Sequence, residues 1–327
     1  MNKRINMIGE YLKEEFGEKI VKLALDGNFT CPNRDGSKGT GGCIFCSADG
    51  SGDFAGTISS QIKLLSDKWP NAKYIAYFQN HTNTYAPASE LRQKYLAALE
   101  GHPDIVGLAI ATRPDCISEE VYELLAELNK RTFLWVELGL QSAHDKTGET
   151  INRCHPVALY DEAVKRLASL GIRTVTHLIL GLPSYIKPAV YDKEGNLTED
   201  AVVVPETREE MLDSVRHVSA PVGYNATTGS DRIFGIKLHM LNIVRGSQME
   251  KLCPNYVPFD TIGDYTDLAI EAICTIPKEI TLHRISADAP RPILIAPEWS
   301  FKKRTILNEI HKKMSDRNLY QGQNVDF

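Results

Sequence analysis

"KIVKLALDGNFTCPNRDGSKGTGGCIFC", residues 19–46, runs from a short apolar stretch straight into a loop that holds three cysteines within sixteen residues. The first seven residues have the length and composition of a buried strand, and they are closed by Asp26 and Gly27. In the loop, eleven residues separate Cys31 from Cys43 and two separate Cys43 from Cys46. A Cys-x-x-Cys turn brings both sulfurs to one side, so that pair reaches a single metal centre readily. Structural zinc requires four closed ligands, and a fourth group such as His81 would have to cross from another loop. A cubane iron-sulfur cluster takes one thiolate per iron, so three cysteines leave one iron open to a non-protein ligand. A redox dithiol and three unrelated thiols are the remaining readings. The stretch "GSKGTGG" (36–42) lets backbone approach a bulky cluster and offers amide donors to its sulfides. Phe45, between two of the cysteines, either covers the metal, stacks on an adenine, or fills apolar space.

The strand-then-loop pattern continues along the chain. Further strands are expected at "KYIAYF" (73–78), "IVGLAIA" (105–111), "FLWVELG" (133–139), "RTVTHLIL" (173–180) and "FGIKLHML" (234–241). Helical patterns fall near 58–68, 88–100, 118–130, 157–170, 207–218 and 263–275. Six βα units in series predict an α/β fold with a parallel sheet and right-handed crossovers. The loops that follow the strands are rich in polar residues, and in such sheets chemistry sits at the carboxyl ends of the strands. Segments 185–206 and 220–231 read as insertions, the first long enough to be functional or mobile. Beyond 276 the chain reads as an appended cap, with a strand at "EITLHRIS" (279–286) and a helix at "FKKRTILNEIHKKM" (301–314).

Composition limits the possible partners. A chain of 327 residues with 43% hydrophobic content can bury one large core or two smaller ones. The net charge of −5 and pI near 6.0 give no global attraction to nucleic acid or to an acidic membrane, so any such partner must meet a local patch. No apolar run approaches the roughly 18 residues of a spanning helix, and the polar start lacks a signal-peptide pattern. The expectation is a soluble, cytoplasmic protein with reduced thiols. One local patch exists: Lys302, Lys303, Arg304, Lys312, Lys313 and Arg317 face only Glu309 and Asp316 within 301–317. It either tracks phosphates or is a solvated helix face.

The segments "LDGNFTCPNRDG" (25–36), "GTGGCIFCSADGSGDFAG" (39–56), "YFQNHTNTY" (77–85), "ATRPD" (111–115), "VELGLQS" (136–142), "INRCHPVALYDEAVKRL" (151–167) and "APEWSFKKRTILNEI" (296–310) together resemble the radical S-adenosylmethionine superfamily. More narrowly, they resemble its YhcC/YtqA-like group, a relative of the elongator catalytic subunit's radical domain. The resemblance implies a partial (β/α)6 TIM-like barrel over 1–275, with a cluster loop at 26–56 and a C-terminal extension over 276–327. It implies a [4Fe-4S] cluster on Cys31, Cys43 and Cys46, and S-adenosylmethionine chelating the open iron through its amino and carboxylate groups. Electron transfer from the cluster would then give methionine and a 5′-deoxyadenosyl radical. Relatives often meet the amino group with Gly-Gly-Glu after the second strand; here Gln79, Asn80 and Thr82 stand in that loop.

The same resemblance assigns Arg153 to the cofactor carboxylate, with Arg113 as a rival, and Gly181 and Pro183 beneath the adenine. Gln141 and Ser142, at the end of the fourth strand, are expected at the ribose. Glu137 lies in an apolar strand and needs either a basic partner or a role in the site. Lys237 and His239 alternate on the sixth strand and point to a catalytic cavity, though His239 also reads as a satisfied core histidine. Cys116, Cys154, Cys253 and Cys274 show no ligand spacing and read as buried small hydrophobes. For this group the resemblance implies modification of the tRNA wobble uridine, carboxymethylaminomethyl to aminomethyl, with flavodoxin or ferredoxin as reductant. A radical reaction on a small metabolite and a zinc-binding module without chemistry remain alternatives. The chain shows no acetyltransferase, RNA-binding barrel or cobalamin segment, which disfavours acetyl transfer and thiolation.

Overall fold

The computed structural model describes residues 3–47, 55–287 and 289–325. The apolar runs form β1 (Ile20–Leu25), β2 (Lys73–Phe78), β3 (Ile105–Thr112), β4 (Phe133–Gln141), β5 (Arg173–Leu180), β6 (Gly235–Met240) and β7 (Thr281–Arg284). They lie side by side in chain order in one sheet, and every ladder in it is parallel. The helices are α1 (Ile8–Phe16), α2 (Ile58–Ser66), α3 (Ala88–Glu100), α4 (Glu119–Arg131), α5 (Asp145–Thr150), α6 (Val157–Ser169), α7 (Arg208–Ser219), α8 (Ile262–Thr275) and α9 (Lys303–Asp316).

Seven strands stand where six βα units were expected. The segment assigned to an appended cap supplies the seventh, because α8 provides the crossover that a further parallel strand requires. Thr281 then pairs with Gly235 and Leu282 with Ile236 in the same sheet.

The sheet is strongly curled, and the side chains show it. Strands β2 and β6 are four places apart, roughly 19 Å in a flat sheet at about 4.8 Å per strand. Yet Lys237 Nζ on β6 donates to Tyr77 Oη on β2 at 2.7 Å. Curling puts one set of alternate residues outside and the other inside. Outward residues such as Leu23, Ala76, Leu108, Leu134, Val136, Leu178, Leu238 and Leu282 form the main core beneath the helices. Inward, Ile20, Ile75, Tyr77, Ala109, Trp135, Val175 and Phe234 form a second core at the amino ends of the strands.

The two sheet edges, β1 and β7, do not pair with each other. Helix α1 packs against both and contributes Ile8 and Leu12 to the inner core, so it plugs the bottom of the open barrel. The residues just before it run beside β7, where Leu282 N donates to Asn6 O at 2.8 Å. Above the plug, inward residues including Lys22, Gln79, Ala111, Gln141, His177 and His239 are only half-buried, so the cavity opens at the carboxyl ends of the strands.

The first insertion is a β-ribbon. Pro183–Lys187 pairs with Val202–Pro205 and, beyond it, Val190–Tyr191 with Leu197–Glu199. Its tip is held to the body by Ala189 N to Leu252 O (2.9 Å) and Tyr191 Oη to Lys251 O (3.0 Å). The second insertion is a tight loop fixed by buried Asn225, whose Nδ2 donates to Ile172 O at 2.9 Å. Leu12 is buried among Ile8, Ile20 and Phe234 in the plug, so Leu12→Ala is expected to destabilise the protein by about 2–5 kcal/mol. Chemical denaturation checks this; a loss below about 0.5 kcal/mol would show that α1 is not part of the cooperative core.

Candidate active site

The cysteine loop is held by backbone bonds and by two asparagines. Arg34 N donates to Cys31 O at 2.8 Å, Gly42 N to Asn33 O at 2.8 Å, and Cys46 N to Cys43 O at 3.0 Å, the last closing the Cys-x-x-Cys turn. Fully buried Asn33 donates from Nδ2 to Cys43 Sγ (3.7 Å) and to Asn152 O. Asn152 returns donors to Gly42 O (2.8 Å) and Thr40 O (3.1 Å), and Ile44 N binds Ile151 O (3.1 Å). The loop after β1 is therefore fastened to the loop before α6. Gly41 and Gly42 adopt φ of 78° and 77°, and Arg34 Nε lies 2.9 Å from where a Cβ on Gly42 would stand. Residues 48–54 of the expected cluster loop lie outside the described residues.

The donor set suits a cluster better than a single ion. Among the described residues, no three His, Cys, Asp or Glu side chains converge closely enough to hold one metal ion. A cubane asks for something different, one thiolate at each of three corners. Cys43 and Cys46 share a hydrogen bond that pushes the Cys43 thiol well up, with burial adding to the rise. The same bond lowers Cys46, against burial and with help from the Arg34 guanidinium.

The loop after β2 presents unsatisfied acceptors. It is anchored by Asn83 Nδ2 to Ala111 O (2.7 Å), by Thr84 Oγ1 beside Thr112 Oγ1 (2.6 Å), and by Thr82 N to Thr30 O (3.2 Å) next to the cysteine loop. Asn80 Oδ1 and Thr82 Oγ1 are buried without a partner. Each such atom costs about 1–3 kcal/mol when left unmet, so the pair suits a cationic donor such as an amino group. Gln79 is half-buried at the start of this loop.

Across the rim, Gln141 adopts φ of 65°, and its Oε1 is also buried and unpaired. Its Nε2 lies 2.5 Å from where a Cβ on Gly139 would stand, so only glycine at 139 lets the amide fold there. Gly181 has φ of 87°, and Phe259 and Pro258 come within 2.8 and 2.9 Å of its absent Cβ. Pro183 begins the ribbon, and Phe45 is half-buried beside the apolar cluster of Ile44, Ile179 and Leu241.

Three expected cofactor contacts are engaged elsewhere. Ser142 is fully buried; its hydroxyl donates to Glu206 and accepts from His144 N (3.1 Å), which leaves it no donor for a ribose. Arg153 is 1% exposed, and its guanidinium donates to the carbonyls of His155 (2.9 Å), Leu140 (2.8 Å) and Ser142 (2.6 Å) and to Asp145 (2.9 Å). It is a clamp between the end of β4 and the loop before α6, not an open carboxylate receptor. Arg113 forms a two-pronged pair with Asp115 (2.9 and 3.0 Å) and donates to Arg153 O (2.9 Å). Burial opposes ionisation of Asp115, but Arg113 and Lys38 outweigh it and bring the carboxyl down to about 2. Lys38 Nζ reaches Asp115 at 2.8 Å and so ties the cysteine loop to the end of β3. Asn33, Asn152 and Asp115 were missed by sequence reasoning; only the Arg-x-Asp spacing of "RPD" hinted at any of them.

Inside the barrel, Glu137 has its basic partner and also faces the cavity floor. Its oxygens accept from Tyr77 Oη (2.6 Å), Trp135 Nε1 (3.0 Å) and Lys237 Nζ, and Lys22 Nζ stands 3.8 Å away. Burial works against its charge, but Lys237 and Lys22 hold it well below the usual carboxylate range. Burial and the Glu137 charge push the Tyr77 phenol up. His239 meets His177 edge-on, with ring centres 4.1 Å apart and planes inclined by 61°, and both have a buried Nε2 with no partner among the described residues. Burial and the nearby cations lower His177 to about 3 and His239 well below its ordinary value, so both rings are neutral. Sequence reasoning missed Lys22, because one lysine in "KIVKLAL" looked like an ordinary strand residue.

The four other cysteines do not gather. Cys253 and Cys274 are buried, Cys116 is half-buried, and Cys154 is exposed with Sγ 3.1 Å from Asn33 Oδ1. In the basic tail, Lys313 and Arg317 pair with Asp267 (3.1 and 3.2 Å), while Lys302, Arg304 and Lys312 are exposed. No helix among the described residues is long and apolar enough to cross a membrane.

Two family models match the chain: the Radical SAM superfamily over residues 36–187 and the Radical_SAM C-terminal domain over 233–316. Protein YtqA of Bacillus subtilis is 40% identical over 98% of this chain and 92% of its own length. Protein YhcC of Escherichia coli strain K12 is 37% identical over 97% and 94% respectively. Elongator complex protein 3 of Schizosaccharomyces pombe is 25% identical over 58% of this chain and 29% of its own length. The fold is similar to that of archaeal Elp3 from Methanocaldococcus infernus, with a TM-score of 0.62 at 17% identity, over 92% of this chain and 64% of that one. A curled parallel sheet with three cysteines after its first strand, in a chain matched along nearly its whole length by YtqA and YhcC and by the two family models over most of it, makes this chain a member of the radical S-adenosylmethionine superfamily.

Proposed function

We propose that the chain holds a [4Fe-4S] cluster through Cys31, Cys43 and Cys46, cleaves S-adenosylmethionine, and acts on the wobble uridine of tRNA. The observation that carries the cofactor reading is the pairing of a three-thiol loop with the orphaned acceptors Asn80 Oδ1 and Thr82 Oγ1 in the neighbouring loop. When bound, the cluster supplies the electron that splits the sulfonium into methionine and a 5′-deoxyadenosyl radical.

The chain's own residues orient the cofactor and keep water away. Asn80 and Thr82, with Gln79 beside them, accept from the amino group. Gln141 Oε1 accepts from a ribose hydroxyl, and the Gly181 backbone and Pro183 lie under the adenine with Phe45 at its edge. Arg113, Arg153 and Ser142 act one step back, fixing the carbonyls and loops that carry those contacts. The substrate enters above Glu137, Lys237 and His239.

The tRNA reading rests on the resemblance to the YhcC/YtqA-like group. It is supported by the exposed Lys302, Arg304 and Lys312, which can follow a phosphate backbone on an otherwise acidic protein. An unpaired anticodon base can be splayed into such a cavity. The 5′-deoxyadenosyl radical would take a hydrogen atom from the glycyl carbon of a carboxymethylaminomethyl group, loss of one further electron to the oxidised cluster would give an iminium, and water would hydrolyse it to the aminomethyl group and glyoxylate. A flavodoxin or ferredoxin would serve as reductant.

Cys43→Ala is expected to abolish iron content and 5′-deoxyadenosine formation, whereas Cys274→Ala, on the buried face of α8, retains both. Anaerobic iron analysis and chromatography check this; stoichiometric zinc in place of iron would sink the cluster reading. Deleting the gene should cause the carboxymethylaminomethyl nucleoside to accumulate at the expense of the aminomethyl one in tRNA digests read by mass spectrometry. An unchanged wobble-uridine profile would rule out the tRNA substrate and favour a small metabolite.

A further inference from the structure

Among the described residues, the barrel interior holds more cations than carboxylates. Two cations, Lys22 on β1 and Lys237 on β6, stand at one carboxylate, Glu137 on β4, and a third, Arg284 at the end of β7, lies near enough for its charge to act on both lysines. Lys237 is satisfied by Glu137 and Tyr77. Lys22 Nζ makes no hydrogen bond; it has the 3.8 Å ion pair with Glu137 and lies 4.7 Å over the centre of the Tyr77 ring. Arg284, whose Cα pairs with that of Lys237, has no hydrogen-bond or ion-pair partner among the described residues. Its pairing with Lys237 across the β6–β7 ladder sets it beside the same floor, where its charge acts on Lys22, Lys237 and Tyr77.

Glu137 cannot serve Arg284 as well, because its two oxygens already accept from Tyr77, Lys237 and Trp135. Beyond the long ion pair of Lys22 with Glu137, the Lys22 ammonium and the Arg284 guanidinium thus have no hydrogen-bond acceptor among the described residues. A purely structural network would balance its charges, since uncompensated buried charge is costly.

We propose that Lys22 and Arg284 form a receptor, at the floor of the open barrel, for an oxyanion carried by the substrate, either a carboxylate or a phosphate. Glu137, Tyr77 and Lys237 form the fixed frame that holds Lys22 in place. The guanidinium fork and the ammonium suit either anion. The inference rests on reading the barrel interior as the substrate chamber; it does not depend on the cluster or on tRNA. The surroundings of Lys22 support it. Burial lowers its pKa to about 7, Glu137 raises it, and Lys237, Arg284 and Lys303 lower it further. A bound anion would offset that positive field.

The test is titration of the cluster-free full-length protein with inorganic phosphate and with malonate, at constant ionic strength set by chloride, followed by calorimetry. Saturable binding is expected, weakened about tenfold or more in Lys22→Met and in Arg284→Met and kept within about threefold in Lys22→Arg. Binding of phosphate alone assigns the anion to a phosphate, and binding of malonate alone assigns it to a carboxylate. Affinity should be highest below pH 7 and fall as pH rises through 7 and Lys22 loses its proton. No saturable binding, or equal affinity in wild type and both Met variants, would overturn the receptor. Those outcomes leave the cluster and cofactor reading standing, because no iron or S-adenosylmethionine is present in the experiment.

Discussion

One buried carboxylate joins what a flat sheet would keep apart. Glu137 on β4 meets Tyr77 from β2, Lys237 from β6 and Lys22 from β1, and those contacts are possible only if seven parallel strands curl around a common interior. The apolar plug below, built from α1, Ile20, Trp135 and Phe234, seals one end of that interior. Chemistry is therefore confined to the other end, where the loops after the strands meet. Removing a single partner from such a network strands an uncompensated charge, a penalty of about 3–5 kcal/mol. The charge cluster is at once part of the scaffold and the floor of the chamber.

At the rim the same logic works through hydrogen bonds. The cysteine loop after β1 has little regular structure of its own and borrows rigidity from Asn33, Asn152 and Lys38, which tie it to the loops before α6 and after β3. Arg153, buried and bonded to three carbonyls, fixes the end of β4 from behind. Among the buried atoms left without partners in the described residues, Asn80 Oδ1 and Thr82 Oγ1 lie on the loop after β2 and Gln141 Oε1 at the end of β4.

Much of this was legible in the sequence, and the failures have physical causes. Six strands and their helices were readable because parallel strands buried on both faces appear as continuous apolar runs between amphipathic helices. The seventh strand, only Thr281–Arg284, was visible as a strand but not as part of the sheet, since sheet membership depends on the α8 crossover. Helix α1 went unread because it buries little more than Ile8 and Leu12 and is otherwise polar. The spacing of the three thiols pointed to a metal centre, with a redox dithiol and unrelated thiols as the other readings. Arg113 and Arg153 were recognised as important, but sequence shows a guanidinium and not the carbonyls already bonded to it. Lys22 and Arg284 were invisible for the opposite reason: a cation matters here only because curling brings it to a carboxylate three strands away.

The claim on which the account turns is that three thiolates leave one iron available to S-adenosylmethionine. Mössbauer spectroscopy of the protein reconstituted anaerobically with 57Fe measures this most directly. The account predicts a [4Fe-4S] spectrum in which one iron of four shifts on addition of S-adenosylmethionine while three keep their sulfur-only signature. Four irons that remain unchanged by the cofactor, or no cluster at all, would contradict it.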